Sequence, residues 1–510
     1  MPPGSSRSTT LGSLSDLALR ILTARWAFLA FALGLLVLNL LGSLVLRNTI
    51  GKDFWEHIAA MRAFSERLWG PPNPYLASAT PTHLFTPYHW FWGAVSSVLH
   101  VHPLILVPLI GTLNLGLFLV AVGAVAEHIV GDRKWSLLLA LAFLLLWWNP
   151  WEWSGFYNLG LLPLTASYPY WFALAISLLM VARYPFAHRA WALVSIPVVA
   201  LVFLVHPITS VFLVLSLALK VGLSKEGSLA QRLGLAVLPA TGIGLALLWP
   251  YFAVLRAIEA QGEFRRTGFS GNYRIFYQGA VLRLLPALVG LGYVARRLWL
   301  RRLDLVSLGT LLFVAIYLVN LWTLRSGPVA RLVAFVALSL QLGAVMLVAL
   351  AVDRGRWRHL ALAGALVVLA VAGIGEAWDV RRWVRIEPWT GGTTALDLYA
   401  RYRPYGRVLD GDDVVLSDPA TSWVLAPIVG VKVVAVLHPN PFFPGYSQRL
   451  RDVERFVGSG RDLMLRILER YEVTHVLVAR QIVGELSPIR DDLTPILEED
   501  GMVLLRYRAG

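Results

Sequence analysis

Long apolar runs without a single charged residue occupy most of the first 376 residues, and they constrain the fold more than any other feature. A transmembrane helix needs roughly 20 consecutive apolar residues. Several of these runs reach that length, and the others approach it. The runs cover residues 26–46, 103–126, 135–148, 153–182, 190–219, 233–255, 284–295, 305–324, 332–352 and 360–375. They predict a polytopic α-helical membrane protein.

The composition supports that class and excludes others. Hydrophobic residues make up 57% of the chain and charged residues only 15%, whereas a soluble domain carries about 25% charged residues. The chain has no cysteine, which excludes disulfide and thiolate chemistry. The formal net charge of +14, mostly from Arg, predicts cytoplasmic loops and contact with anionic membrane lipids rather than with nucleic acid.

The run at 190–219 determines the predicted topology. As one helix its 30 residues would be about 45 Å long, which exceeds the thickness of a bilayer core. The dipeptide His206-Pro207 interrupts it, and Arg189 and Lys220 flank it. If both basic ends lie on the cytoplasmic side, the run is a hairpin of two short spans that turns at His206. Counting the hairpin as two spans gives about eleven transmembrane spans in all, with the N-terminus inside and everything after Gly375 outside.

The tail has a different composition and is predicted to be a separate domain. We place the boundary so that 1–376 is the membrane domain and 377–510 is an extracytoplasmic α/β domain. Strands are predicted at 414–418, 431–437, 474–480 and 502–508, and helices at 420–430, 448–471 (a pair) and 487–501. Alternating strands and helices indicate a mainly parallel sheet. No glycine-rich phosphate loop follows any of these strands, so nucleotide binding has no support.

The first long outer loop, residues 47–102, carries the acidic motif GKDFWEH. Asp53, Glu56 and His57 are spaced i, i+3, i+4, so they share one face of a helix. One interpretation is a general base at the membrane edge, where partial burial raises the pKa of a carboxyl group. A second is a solvated interfacial turn with a local ion pair. A third is a metal site in which His83 or His89 joins Asp53 and His57.

With these parts in order, the chain resembles the GT-C superfamily of membrane glycosyltransferases. The likeness consists of an Asp shortly after the first span, a Pro/Tyr-rich first loop, about eleven spans and a soluble C-terminal domain. The resemblance implies a polyprenyl-phosphate-linked sugar as donor and Asp53 as catalytic base, with Glu56 and His57 as supporting residues. The next outer loop offers only Glu152 as an acidic residue. We therefore expect no cofactor; a divalent metal is the less favoured alternative.

A donor phosphate needs cations beside an apolar groove, and Arg provides bidentate hydrogen bonds for it. The outer loop at 256–283 has five Arg against two Glu, contrary to the usual charge bias of outer loops. A second group flanks the Gly-Pro turn of TLRSGPVARL, and the GT-C resemblance implies that Arg331 contacts the phosphate. Unspecific contact with lipid headgroups is the alternative for both. The predicted phosphate-binding residues are Arg265, Arg266, Arg274, Tyr273, Arg325, Arg331 and His206.

Together these features predict an inverting membrane glycosyltransferase in the bacterial cytoplasmic (inner) membrane. Its acceptor would be a hydroxyl group of a cell-envelope glycan, a lipid or a protein, and the outer domain would shape the acceptor site. One alternative is a transporter or flippase, although span interiors almost free of charge speak against it. Another is a non-catalytic membrane assembly protein.

Overall fold

The computed structural model groups the chain into two compact units that do not follow the linear order of the sequence. The structure describes residues 16–45, 53–77, 82–149, 151, 155–184, 189–225, 228–251, 269–355, 358–384, 394–437 and 445–508. The helical unit comprises Met1–Leu46, Pro108–Leu248 and Gly268–Arg385; the mixed unit comprises Arg47–Val107, Trp249–Thr267 and Ile386–Gly510. The first loop thus groups with the C-terminal segment, which differs from a single boundary near Ala377.

Five helices among the described residues are long and apolar enough to cross a membrane. They are Pro103–Val130, Leu229–Ala246, Leu305–Trp322, Gly327–Asp353 and Arg358–Glu376. A sixth span results if the bent pair Asp16–Thr23 and Arg25–Leu41, which meet at 64°, is taken as one. The polytopic helical class is confirmed, whereas the count of eleven spans stays a prediction.

The predicted hairpin forms two helices. The ring centroids of Tyr170 and His206 are 5.0 Å apart. Fourteen residues beyond His206, the Lys220 ammonium donates to the carbonyl of Val181 at 2.7 Å. The second hairpin helix therefore runs parallel to the helix that contains Tyr170 and Val181, and the helix between them runs in the opposite direction. The chain reverses at His206, where Pro207 cannot continue the hydrogen-bond ladder. The three helices are Pro169–Arg183, Arg189–Val205 and Pro207–Leu223.

Other predicted runs form shorter or broken helices. The run at 284–295 is a 3₁₀ turn followed by an α-helix, and its Gly290 lies so close to a neighbouring helix that an added Cβ would be 1.9 Å from the carbonyl oxygen of Leu340. The run at 153–182 is helical chiefly in its second half. The remaining described helices here are Ser136–Leu145, Leu162–Thr165, Ala280–Arg283, Leu285–Gly290 (3₁₀) and Leu291–Trp299.

The mixed unit contains a five-stranded sheet with helices around it. The sheet order is β2-β1-β3-β5-β4, where the strands are β1 (Val414–Leu416), β2 (Lys432–Val433), β3 (His475–Ala479), β4 (Leu493–Glu499) and β5 (Met502–Tyr507). The described helices of this unit are Phe54–Glu66, Pro87–Leu99, Ala395–Tyr402, Pro419–Val429, Tyr446–Phe456 and Arg461–Arg470.

The sheet corrects two expectations. The helix predicted at 487–501 is wrong: this segment is the end of a 3₁₀ stretch and then β4. β4 and β5 form a hairpin in which Glu499 pairs with Met502, and the two loop residues, Asp500 and Gly501, both have positive φ. Asp-Gly in a two-residue loop favours a type I′ turn. β1 pairs in parallel with β2 and β3, but the β3–β5 and β4–β5 pairs are antiparallel, so the sheet is mixed rather than mainly parallel.

The first loop extends this sheet and binds its helices. At the β2 edge, Val433 donates its amide hydrogen to the carbonyl of Tyr75 at 2.7 Å. The buried Lys432 ammonium donates to the carbonyl of Asn73 at 2.6 Å. These bonds cover an otherwise open strand edge and tie the loop that follows the acidic motif to the C-terminal domain.

Candidate functional site

The acidic motif begins the first-loop helix, Phe54–Glu66, as the spacing predicted. Asp53 is the N-cap residue, and its carbonyl accepts the amide hydrogen of His57 at 3.1 Å. A carboxylate at this position is favoured by the partial positive charge of the helix N-terminus. Asp53 is half-buried, whereas Glu56, in the first turn, is only 3% exposed. The two carboxylates therefore lie in different environments although they share a helix face.

A chain of side-chain hydrogen bonds leads from this helix to the next one in the loop, Pro87–Leu99. His57 Nδ1 lies 2.9 Å from His89 Nε2. His89 Nδ1 in turn lies 2.8 Å from the hydroxyl of Thr86, which is the N-cap of the second helix. Because His89 is 1% exposed, this chain fixes the orientation of the His57 ring from inside the unit.

Both imidazoles are neutral at physiological pH. Burial lowers the pKa of His57 from 6.5 to about 4, and the nearby Asp53 charge opposes that shift only in part. Burial also lowers the pKa of His89 well below its usual value, with further lowering by His57 and His83. A neutral pair suits the 2.9 Å contact, since one ring nitrogen must donate and the other accept.

The charge of Glu56 affects a different set of groups. Burial raises the pKa of the Tyr75 phenol well above its usual value, and the negative charge of Glu56 adds to this shift. Burial, Glu454 and then Glu56 raise the pKa of Tyr446, which lies in the C-terminal part of the unit. The charge of Glu56 therefore acts on two phenols from different parts of the mixed unit.

The metal alternative gains no geometric support. Within the described ranges, no group of three or more His, Asp and Glu side chains is arranged to hold a metal ion. His57 and His89 are neighbours, but their facing nitrogens are within hydrogen-bond distance of each other. Glu152 lies outside the described residues, and metal independence stays a prediction.

The helical unit brings two of the predicted cationic segments together. The helix Gly327–Ala330 packs against the 3₁₀ stretch Phe269–Phe276, and the Arg331 guanidinium lies 5.8 Å from the ring centroid of Phe276. Arg331 is half-buried just before the helix Val333–Asp353 begins. From the same 3₁₀ stretch, Arg274 Nε lies 3.4 Å from the buried Tyr273 hydroxyl. Arg331, Arg274 and Tyr273 thus belong to adjoining segments.

The other predicted phosphate-binding residues do not belong to these two adjoining segments or lie outside the described residues. Arg325 is exposed and has a positive φ of 49° in the turn before Gly327. His206 caps the second hairpin helix, because its Nδ1 accepts the Thr209 amide hydrogen at 3.3 Å. Phosphate binding by His206 stays a prediction. Arg265 and Arg266 lie outside the described residues.

Sequence reasoning missed two buried polar residues. His89 was considered only as a metal ligand, although Thr86-Pro87 followed by His89 is a helix start in which the third helical residue faces back to its cap. The second is Glu376, which is 1% exposed and accepts the amide hydrogen of Gly160 at 2.6 Å. Glu376 and Gly160 are 216 residues apart in sequence, so no local pattern signals their contact.

The whole fold has counterparts among solved membrane proteins. The alignment with ArnT from Cupriavidus metallidurans covers 94% of this chain and 98% of that chain, at 13% identity and a TM-score of 0.53. The alignment with the arabinofuranosyltransferase AftD from Mycobacteria covers 96% of this chain but only 40% of that chain, at 15% identity and a TM-score of 0.59. The sequence itself matches no protein-family model and no curated protein. Both structural neighbours are GT-C glycosyltransferases, so the predicted GT-C resemblance is confirmed at the level of the fold.

Proposed function

We propose that this protein is a membrane glycosyltransferase that takes a sugar from a polyprenyl-phosphate donor and transfers it to a hydroxyl acceptor. The acceptor is a cell-envelope glycan, a lipid or a protein, and the reaction takes place at the outer face of the bacterial cytoplasmic membrane. The arrangement around Asp53 carries the proposal: a half-buried carboxylate at a helix N-terminus, next to an imidazole held in place from the other side, within a GT-C fold.

In the proposed reaction Asp53 accepts the proton of the acceptor hydroxyl. The freed oxygen lone pair attacks the anomeric carbon, and the bond between that carbon and the phosphate oxygen breaks with its electron pair going to the phosphate. Attack opposite to the leaving group inverts the anomeric centre. Arg331 binds the leaving phosphate and stabilises its developing charge. His57, held by His89, orients the Asp53 carboxylate.

The proposal assigns distinct roles to the two first-loop carboxylates. A general base must be accessible to its substrate. Asp53 is half-buried and Glu56 is almost fully enclosed, which favours Asp53 as the base. Glu56 then supports the site through its charge, which acts on Tyr75 and Tyr446.

The test is sugar transfer by the purified protein from synthetic polyprenyl-phosphate sugars, with and without a chelator, together with a glycan and lipid-linked-sugar profile of a deletion strain. We expect donor consumption that is insensitive to the chelator, and loss of one glycan with accumulation of its lipid-linked donor in the deletion strain. Movement of an intact labelled lipid across vesicle membranes without any sugar transfer would instead establish a flippase.

A further inference from the structure

A basic cavity in the mixed unit lies apart from the Asp53 site. Its volume is about 330 Å³, and its lining includes Arg62, His102, Tyr399, Arg403 and Arg407. The first loop supplies Arg62 and His102, and the segment that follows the helix Ala395–Tyr402 supplies Arg403 and Arg407. No Asp or Glu is among the lining residues, so the cavity favours an anion.

Two of the three guanidinium groups are available to a ligand. Arg62 is committed to the protein, because it donates to the carbonyls of Ile428 and Val429 and to Glu66. Arg403 and Arg407 are exposed, and neither forms an ion pair with another residue that the structure describes. They stand four residues apart on the 3₁₀ helix Arg403–Arg407. Two neighbouring cations without a counter-charge form a site for a ligand with several anionic oxygens.

The aromatic lining residues His102 and Tyr399 carry no charge at neutral pH, because burial lowers the pKa of His102 to about 4. His102 Nε2 donates to the carbonyl of Pro427 at 3.0 Å, and its Nδ1 accepts the Leu104 amide hydrogen at 3.2 Å. The Tyr399 ring packs on His102 at a centroid distance of 4.8 Å, and the Arg403 guanidinium lies 5.9 Å from the centroid of the same Tyr399 ring. The contact with the Tyr399 ring leaves the positive charge of Arg403 uncompensated.

One residue of the cavity lining directly precedes a membrane span in the sequence. His102 directly precedes Pro103, the first residue of the membrane-crossing helix Pro103–Val130. Just before it, Val98 and Leu99 are 75% and 53% exposed. Leu396 and Val408, which are close in sequence to the lining residues Tyr399 and Arg407, are 45% and 39% exposed. Exposed apolar side chains close in sequence to the basic lining match a lipid, with its phosphate at the charges and its chains beside them.

We propose that the cavity between Arg403, Arg407 and Tyr399 binds the phosphate group of an anionic membrane lipid. The site is independent of sugar transfer and holds the mixed unit to lipid headgroups. Arg403 and Arg407 supply the hydrogen-bond donors for the phosphate oxygens.

The experiment measures binding of short-chain phosphatidylglycerol, short-chain phosphatidylcholine and inorganic phosphate to the full-length purified protein in neutral detergent. The double variant Arg403→Ala/Arg407→Ala is compared with Arg451→Ala/Arg455→Ala. The control pair is also exposed, lies four residues apart on the helix Tyr446–Phe456, and removes the same charge.

We expect the first double variant to lose at least about tenfold in phosphatidylglycerol affinity, since two charge-assisted hydrogen bonds are removed. The control should bind as the wild type does, and both variants should keep the wild-type melting temperature. Equal losses in both double variants would reduce the effect to net charge and overturn the site. Inorganic phosphate that binds as tightly as phosphatidylglycerol would overturn the lipid assignment.

Discussion

The surroundings of His57 differ strongly from those of the free amino acid. Its ring is half-buried, bonded to His89 and close to Asp53. The pKa of His57 is about 4 in the folded protein and about 6.5 in an unfolded chain. Between these values the unfolded state binds more protons than the folded state, so stability rises with pH there. His57 thus contributes stability above about pH 6.5 that is lost as the pH falls towards 4.

We expect the melting temperature of the wild type to fall between about pH 7 and about pH 5, and the fall to be smaller in His57→Gln, which cannot take up a proton. His359→Gln, at an exposed histidine, serves as the control and should show the wild-type slope. Thermal unfolding in detergent at several pH values provides the measurement. A wild-type slope in His57→Gln would show that this imidazole is not held neutral by the fold.

Arg331 carries the corresponding prediction for the donor. One charge-assisted hydrogen bond to phosphate is worth roughly 1.5–3 kcal/mol, so Arg331→Ala should lower donor use by about one to two decades. The matched variant Arg302→Ala, at an exposed arginine of the same unit, should have no effect. Apparent donor affinity is measured from transfer rates at increasing donor concentration. An unchanged affinity in Arg331→Ala would remove this residue from the donor site.

At the scale of elements, the side chain of Arg62 joins the first-loop helix to a helix of the C-terminal segment. Arg62 donates to the carbonyls at the end of the helix Pro419–Val429, with Nη2 2.6 Å from the oxygen of Val429. A cation here donates hydrogen bonds to carbonyls that the helix leaves unpaired. It also interacts favourably with the partial negative charge at the C-terminal end of the helix. At the same place Gly430 has φ of 93°, and an added Cβ would lie 2.7 Å from Arg62 Nη2, so the close approach requires glycine.

Arg62→Ala should therefore destabilise the mixed unit by about 1–3 kcal/mol, the usual cost of leaving buried polar groups unsatisfied. Arg67→Ala, at an exposed position where the same helix ends, is the control and should change little. Melting temperatures of the two variants give the comparison. Equal melting temperatures would mean that the first loop does not depend on this contact.

Local signals account for the elements that the sequence predicted well. Residues adjacent in sequence are enough to predict the helix of the acidic motif, the hairpin interrupted by proline and the apolar strand at 474–480. The helix expected at 487–501 was wrong because the expectation relied on the charged residues of the segment. The Asp500-Gly501 turn between two strand-like runs is the stronger local signal, and it indicates a hairpin. The role of His89 was missed because its partner, His57, is 32 residues away.

At the scale of the whole molecule, the grouping of the first loop with the C-terminal domain depends on contacts that local patterns do not reveal. Arg62 and Ile428 are 366 residues apart in sequence, and Tyr75 meets β2 across a similar separation. The general class of the chain was predictable from composition because lipid exposure affects every span. Which chain segments form the mixed unit was not predictable, since each contact between them involves only a few residues that are distant in sequence.

The topology prediction belongs to this scale. An odd number of spans and basic inner loops predict that the C-terminal domain lies outside the cytoplasm. A reporter that is active only in the cytoplasm, fused after Gly510, should be silent, and an otherwise identical fusion to a reporter active only outside should give a signal. The reverse pattern would place the mixed unit, with Asp53, on the side opposite to the proposed donor.

The central claim is that Asp53 removes the proton of the acceptor hydroxyl, and turnover of Asp53→Asn tests it most directly. General-base catalysis contributes about two to four decades in rate, and asparagine keeps the shape while losing the proton acceptor. Sugar transfer from a synthetic polyprenyl-phosphate donor should therefore fall by at least about two decades with donor binding near normal. Glu56→Gln and His57→Ala should each cost less. Full activity in Asp53→Asn would contradict the account.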